Sequence, residues 1–70
     1  MKYAVVFEKS ATGYAAYVPE LPGCVTTGKT KEETERLIRE AIEFHIESLR
    51  ENGEPVPRPT TETEYVTIGD

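Results

Sequence analysis

The chain has one cysteine, one histidine, one methionine and no tryptophan. A single thiol, Cys24, closes no disulfide within its own chain, and the composition fits a reducing compartment. One Cys and one His do not make a structural zinc site, which takes four N or S ligands. No apolar run approaches the roughly 20 residues of a membrane-spanning helix. Lys2 is followed by only a short apolar stretch before Glu8, too brief for the core of a signal peptide. Asn and Gln are nearly missing, with Asn52 their sole representative, and Asp70 is the one acid that is not Glu. That leans toward a heat-adapted source. A phosphate-binding glycine loop, a GxSxG elbow and an HExxH helix are all missing as well.

What remains is a short, acidic chain. Seventy residues make one domain, residues 1–70, with net charge −5. A core of this size rarely supplies more than about 3–5 kcal/mol. With disulfide and metal excluded, association is the remaining support, so a homo-oligomer is expected. The negative charge disfavours direct binding to a phosphate backbone and suits a basic partner.

Residues Lys2–Glu8 alternate apolar side chains on both faces and read as a central strand. Lys9–Gly13 reads as a hairpin loop and Tyr14–Val18 as a second strand. Pro19 ends that strand because it brings no N–H to a ladder. Glu20-Leu21-Pro22-Gly23 is a turn: proline presets its φ and glycine accepts a positive one. Cys24–Thr27 restarts as a third strand. Thr30-Lys31-Glu32-Glu33 fits a capping box, with the Thr30 hydroxyl on the Glu33 amide and the Glu33 carboxylate reaching back to Thr30. The helix it opens should reach Glu51. Leu37, Ile38, Ala41, Ile42, His45, Ile46 and Leu49 draw one buried stripe along it. Glu32–Arg36 and Glu35–Arg39 are paired four residues apart on the wet faces. Asn52-Gly53 stops the helix. Three alternate prolines in Gly53–Pro59 favour an extended, stiff linker, and Tyr65–Ile68 reads as a last strand. The order β-β-β-α-β is an α+β fold. A right-handed crossover places the last strand parallel to the first, in a four-stranded sheet of order 3-2-1-4 with one helix on one face. The face left open points to an oligomer or a protein partner.

Little in the sequence speaks for chemistry. Cys24 reads as a buried structural thiol, since no base or cation is placed beside it. His45 belongs to the helix stripe. The helix glutamates interleave with arginines, as on a solvated face, and Glu8 alone does not make the convergent carboxylates of a metal-dependent nuclease. No cofactor is implied. Tyr3, Phe7, Tyr14 and Tyr17 would suit a stacking platform for single-stranded RNA, but the basic groove that mode needs is lacking.

Taken together, YAAYVPELPGCVTTGKTKEET, the amphipathic helix and then GEPVPRP resemble the HicB antitoxin family. The matching positions are Tyr14, Tyr17, Pro19, Leu21, Pro22, Gly23, Cys24, Gly28, Thr30, Glu33, Gly53, Pro55, Pro57 and Pro59. The resemblance implies a reduced ribonuclease-H-like fold without the catalytic acids. It implies a cytoplasmic, non-enzymatic protein that masks a HicA-type toxin, a small basic mRNA-cleaving protein. It further implies a short form lacking the C-terminal DNA-binding segment that many relatives carry, so that control of its own operator is not expected. Tyr14, Tyr17, Glu20, Leu21, Pro22 and Gly23 are the expected partner-facing residues. The alternatives are an orphan oligomeric domain with no toxin and a small RNA-binding module.

Overall fold

The computed structural model describes residues 1–69. Three antiparallel strands, β1 (Val6–Ser10), β2 (Gly13–Tyr17) and β3 (Val25–Gly28), are followed by one helix, α1 (Lys31–Glu51). The sheet order is β1-β2-β3. Helix α1 lies across β3 and β2, so the β1 side of that face is the least covered.

The first strand begins later and ends later than the alternation predicts. The hairpin is tighter than Lys9–Gly13. Ser10 pairs directly with Gly13, and the Ser10 hydroxyl donates to the Gly13 carbonyl at 3.1 Å. At the other end Val6 pairs with Tyr17. Pro19 follows soon after and has no N–H to extend the ladder, so among the described residues, residues 2–5 pair with no strand. Tyr3, Val5 and Phe7 still share one side and pack against the core.

Helix α1 is closed at both ends as its sequence dictates. The Glu33 amide donates to Thr30 Oγ1 at 3.0 Å. The return bond goes one residue further back than expected, from the Lys29 amide to Glu33 Oε1 at 2.8 Å. At the other end Glu54 N–H reaches the Leu49 carbonyl and Gly53 N–H the Arg50 carbonyl, with Gly53 at φ 70°. This is a Schellman stop. Glu35 pairs with Arg39 at 3.8 Å, but Arg36 turns to Glu40 at 3.6 Å and not to Glu32. Both pairs are exposed and add little stability. The stripe is as read: Ile38 is buried and Leu37, Ala41, Ile42, His45, Ile46 and Leu49 are half-buried.

The core is small: Ala16, Val18, Leu21, Cys24 and Ile38. Thr34 is buried with them and donates its hydroxyl to the Thr30 carbonyl at 2.7 Å. Gly28 lets the helix start this close to β3. A Cβ there would stand 2.5 Å from Thr34 Oγ1.

The structure as it stands does not include the expected fourth strand. Among the described residues the sheet has three strands, and Tyr65–Ile68 pairs with none. Tyr65, Val66 and Ile68 are among the most exposed apolar groups. The linker that precedes this segment is tethered at two points. The Tyr3 hydroxyl donates to the Pro57 carbonyl, and Glu20 accepts from Thr60 and Thr61. The linker is thereby held first at the β1 lead-in and then at the β2–β3 turn.

Candidate partner interface

The segment Val18–Cys24 is two turns in series. Leu21 N–H bonds the Val18 carbonyl at 3.1 Å, and Cys24 N–H bonds the Leu21 carbonyl at 2.9 Å. Val18 N–H closes the whole excursion on the Cys24 carbonyl at 3.1 Å. In the second turn Pro22 and Gly23 hold the central positions, and Gly23 has φ 85°. That is the backbone of a type II turn, in which a side chain at Gly23 would be strained.

The turn sorts its residues between core and surface. Leu21 is completely buried, so its contribution is to pin the turn from beneath. Pro22 and Gly23 are exposed and Glu20 is half-buried. Tyr14 and Tyr17 fall on opposite faces, because β2 alternates. Tyr14 shares the helix side with buried Ala16, and Tyr17 stands on the open side. The structure therefore brings Tyr17, Pro22 and Gly23 to the exterior but does not group them with Tyr14 or Leu21. The same alternation breaks up the aromatic platform. Tyr3 and Phe7 pack toward the core while Tyr17 faces outward.

The open face carries residues that the candidate set omitted. Val6 pairs with Tyr17, and Tyr17 with Val25. These three form a transverse apolar row, with Tyr17 38% and Val25 64% exposed. Glu8, Ala15 and Thr27 form the next row. Val25 becomes the companion of Tyr17 only through the register that the Val18–Cys24 turns set. Phe44, 75% exposed on α1, was also missed; it lies between stripe positions.

The reactive candidates are dispersed. Cys24 is buried, and desolvation pushes its thiol pKa up; it is therefore held as the unreactive thiol. His45 lies on the half-buried side of α1. Among the described residues no three His, Cys, Asp or Glu side chains gather as a metal site, and no helix is long and apolar enough to cross a membrane.

Glu20 has a structural role that the sequence did not announce. Its Oε2 accepts from the Thr60 hydroxyl, the Thr60 amide and the Thr61 amide, the last at 2.9 Å. The hydroxyl bond and then the Thr60 amide hold its pKa below the ordinary 4.5, against an opposing contribution from shielding. Because the folded pKa is lowered, the tether is complete above about pH 4.5 and is lost as pH falls through the lowered value. Glu20→Gln should reproduce the acid behaviour at neutral pH. Backbone ¹⁵N relaxation is expected to show Thr60 and Thr61 gaining motion in the variant. Unchanged relaxation would mean that Glu20 does not hold the linker.

Residues 3–68 match the model of the HicB-like antitoxin of bacterial toxin–antitoxin systems. The chain belongs to the HicB-like antitoxin family. It is 49% identical over 63 residues to the UPF0150 protein Ta0767 of Thermoplasma acidophilum, covering 89% of this chain and 91% of that one. It is 35% identical over 68 residues to Antitoxin HicB 2 of Photorhabdus laumondii, covering 91% of this chain but 46% of the relative. Its structure is similar to a chain of the HicA3 and HicB3 toxin–antitoxin complex, with TM-score 0.72 and 32% identity over 86% of this chain and 70% of that one. Three antiparallel strands followed by one helix thus make a HicB-like α+β domain.

Proposed function

We propose that this HicB-like chain neutralises a small basic HicA-type RNA-cleaving toxin by covering it, without chemistry of its own. The observation that carries this reading is the apolar row Val6–Tyr17–Val25, with Val6 half-buried and Tyr17 and Val25 exposed, on the sheet face opposite α1, in a chain of net charge −5. An apolar row with Glu8 in the neighbouring row, on a chain of net negative charge, suits a basic RNA-binding surface. Apolar contact supplies affinity, and charge supplies rapid encounter. The exposed Pro22-Gly23 turn extends the same surface beyond the strands. We place this protein in the cytoplasm with its toxin. We further propose that its working sheet is four-stranded and ribonuclease-H-like, completed when a Tyr65–Ile68 segment pairs with the free edge of β1.

The test is RNA cleavage by a purified HicA-type toxin encoded beside this chain. Added at equal molar ratio, the chain should stop cleavage, and the complex should weaken as salt rises. Continued cleavage at large excess would overturn the antitoxin reading and leave an orphan oligomeric domain. Cys24→Ser should leave neutralisation unchanged, at a stability cost of about 1–3 kcal/mol for an imperfectly partnered buried hydroxyl. Loss of neutralisation in a Cys24→Ser protein that is still folded by circular dichroism would instead implicate the thiol.

A further inference from the structure

Beside the less covered half of the sheet lies an open groove of about 1070 Å³ that combines apolar walls with charged α1 side chains such as Glu43, Glu47 and Arg50. Tyr3, Val5 and Phe7 form one wall and Ile38, Ile42 and Ile46 the other. It exists because α1 packs over β3 and β2, and because, among the described residues, β1 has no neighbouring strand on its outer edge. The same chain carries an apolar segment with nothing to cover it. Tyr65 is fully exposed, Val66 is 70% and Ile68 82% exposed. Val66 and Ile68 alternate with Tyr65 and Thr67, so an extended segment presents both aliphatic groups on one side. The aliphatic side of this segment matches the apolar walls of the groove.

We propose that the groove of each chain is filled by the Tyr65–Ile68 segment of a second copy, so that two chains exchange tails across a twofold axis. This rests on the four-stranded reading above and names where the fourth strand comes from. Three observations favour exchange over folding back. The Tyr3–Pro57 bond holds the linker at one wall of the groove, and the Glu20–Thr60/Thr61 bonds then fix it at the β2–β3 turn, short of the segment that would have to turn back. Pro55, Pro57 and Pro59 stiffen the chain through that crossing. The chain is also extended: its radius of gyration is 13.8 Å and its longest dimension 49 Å, against about 11 Å for the radius of a compact chain of this length. A segment held away from its own body meets the equivalent groove of a partner, and a twofold axis returns the exchange.

The experiment uses the full chain, half of it ¹³C-labelled and half unlabelled, mixed after unfolding and refolding. Isotope-filtered NOE spectra should show contacts between chains, from the Val66 and Ile68 methyls to the Tyr3 and Phe7 rings. Light scattering should give the mass of a dimer. Val66→Glu with Ile68→Glu alters exposed residues and should leave the circular dichroism of the helix in place. The dimer dissociation constant should rise at least about a hundredfold. Methyl–ring contacts within a monomer would overturn exchange while keeping the four-stranded sheet. A dimer that survives the double variant would overturn exchange by placing the interface elsewhere. A monomer without such contacts would overturn both.

Discussion

Leu21→Ala is expected to leave most of the chain unfolded at room temperature. Leu21 is fully buried although it sits in a turn. It shares the core with Val18, Cys24, Ala16 and Ile38, and so joins the turn, β2 and α1. Truncating a buried leucine costs about 2–5 kcal/mol, depending on how far the site collapses. A domain of this size has only about 3–5 kcal/mol to lose. The collapse is poorly supported here, because the backbone on either side is held by the two turn hydrogen bonds and by Val18 N–H on Cys24. Leu21→Met keeps most of the volume and should cost less than about 1.5 kcal/mol. Urea titration followed by helix circular dichroism separates the two variants, at one fixed chain concentration since association adds stability. A Leu21→Ala midpoint close to that of the parent would mean that the core is not centred beneath the turn.

The contrast between Leu21 and its neighbours shows which kinds of information the sequence holds. Local features were legible. Thr30 and Glu33 define the helix start, Asn52-Gly53 defines its end, and Pro22-Gly23 defines the turn. Each acts through bonds to residues a few positions away, so spacing is enough to find it. The three-stranded meander was legible for the same reason, apart from its register. The tight Ser10–Gly13 hairpin moved β1 toward the C-terminus, and nothing in the apolar alternation of Lys2–Glu8 distinguishes paired from unpaired residues. The course of the linker was not legible, because Glu20, some forty positions away, captures Thr60 and Thr61. A strand pattern states that a segment is fit to pair. It does not state which edge, or which copy, it reaches.

The candidate interface divides along the same line. The family resemblance drew attention to the turn and to Tyr14 and Tyr17, but membership of a motif does not separate residues that build a surface from residues that support it. Leu21 supports; Pro22 and Gly23 are outside. Alternation along β2 separates Tyr14 from Tyr17, and cross-strand register supplies Val6 and Val25 as the companions of Tyr17. That register follows from two turns whose lengths had to be known first, so the row Val6–Tyr17–Val25 emerges only once the meander is assembled.

Tyr17→Ala combined with Val25→Lys should abolish neutralisation of a HicA-type toxin while leaving the chain folded. Both side chains already lie partly in solvent on the open face. Their replacement removes cross-strand contact worth about 0.2–1 kcal/mol and no core packing. Their expected weight in the complex is much larger. A tyrosine at the centre of an interface is a frequent anchor, and truncating one often costs 2 kcal/mol or more. The lysine then sets a like charge against a basic surface, and such juxtaposition costs several kcal/mol. Together the two changes should weaken the complex at least about a thousandfold. Titration calorimetry should show heat of binding lost at micromolar concentrations, and RNA cleavage should proceed with the variant in excess. The tail variant Val66→Glu/Ile68→Glu is the matched control, because it disturbs the groove and not the open face. If the open-face pair binds toxin like the parent and the tail pair does not, the toxin surface lies at the groove, and the apolar row serves contact between copies instead. The two surfaces lie on opposite sides of β1, so each double variant reads out one face of the sheet without touching the other.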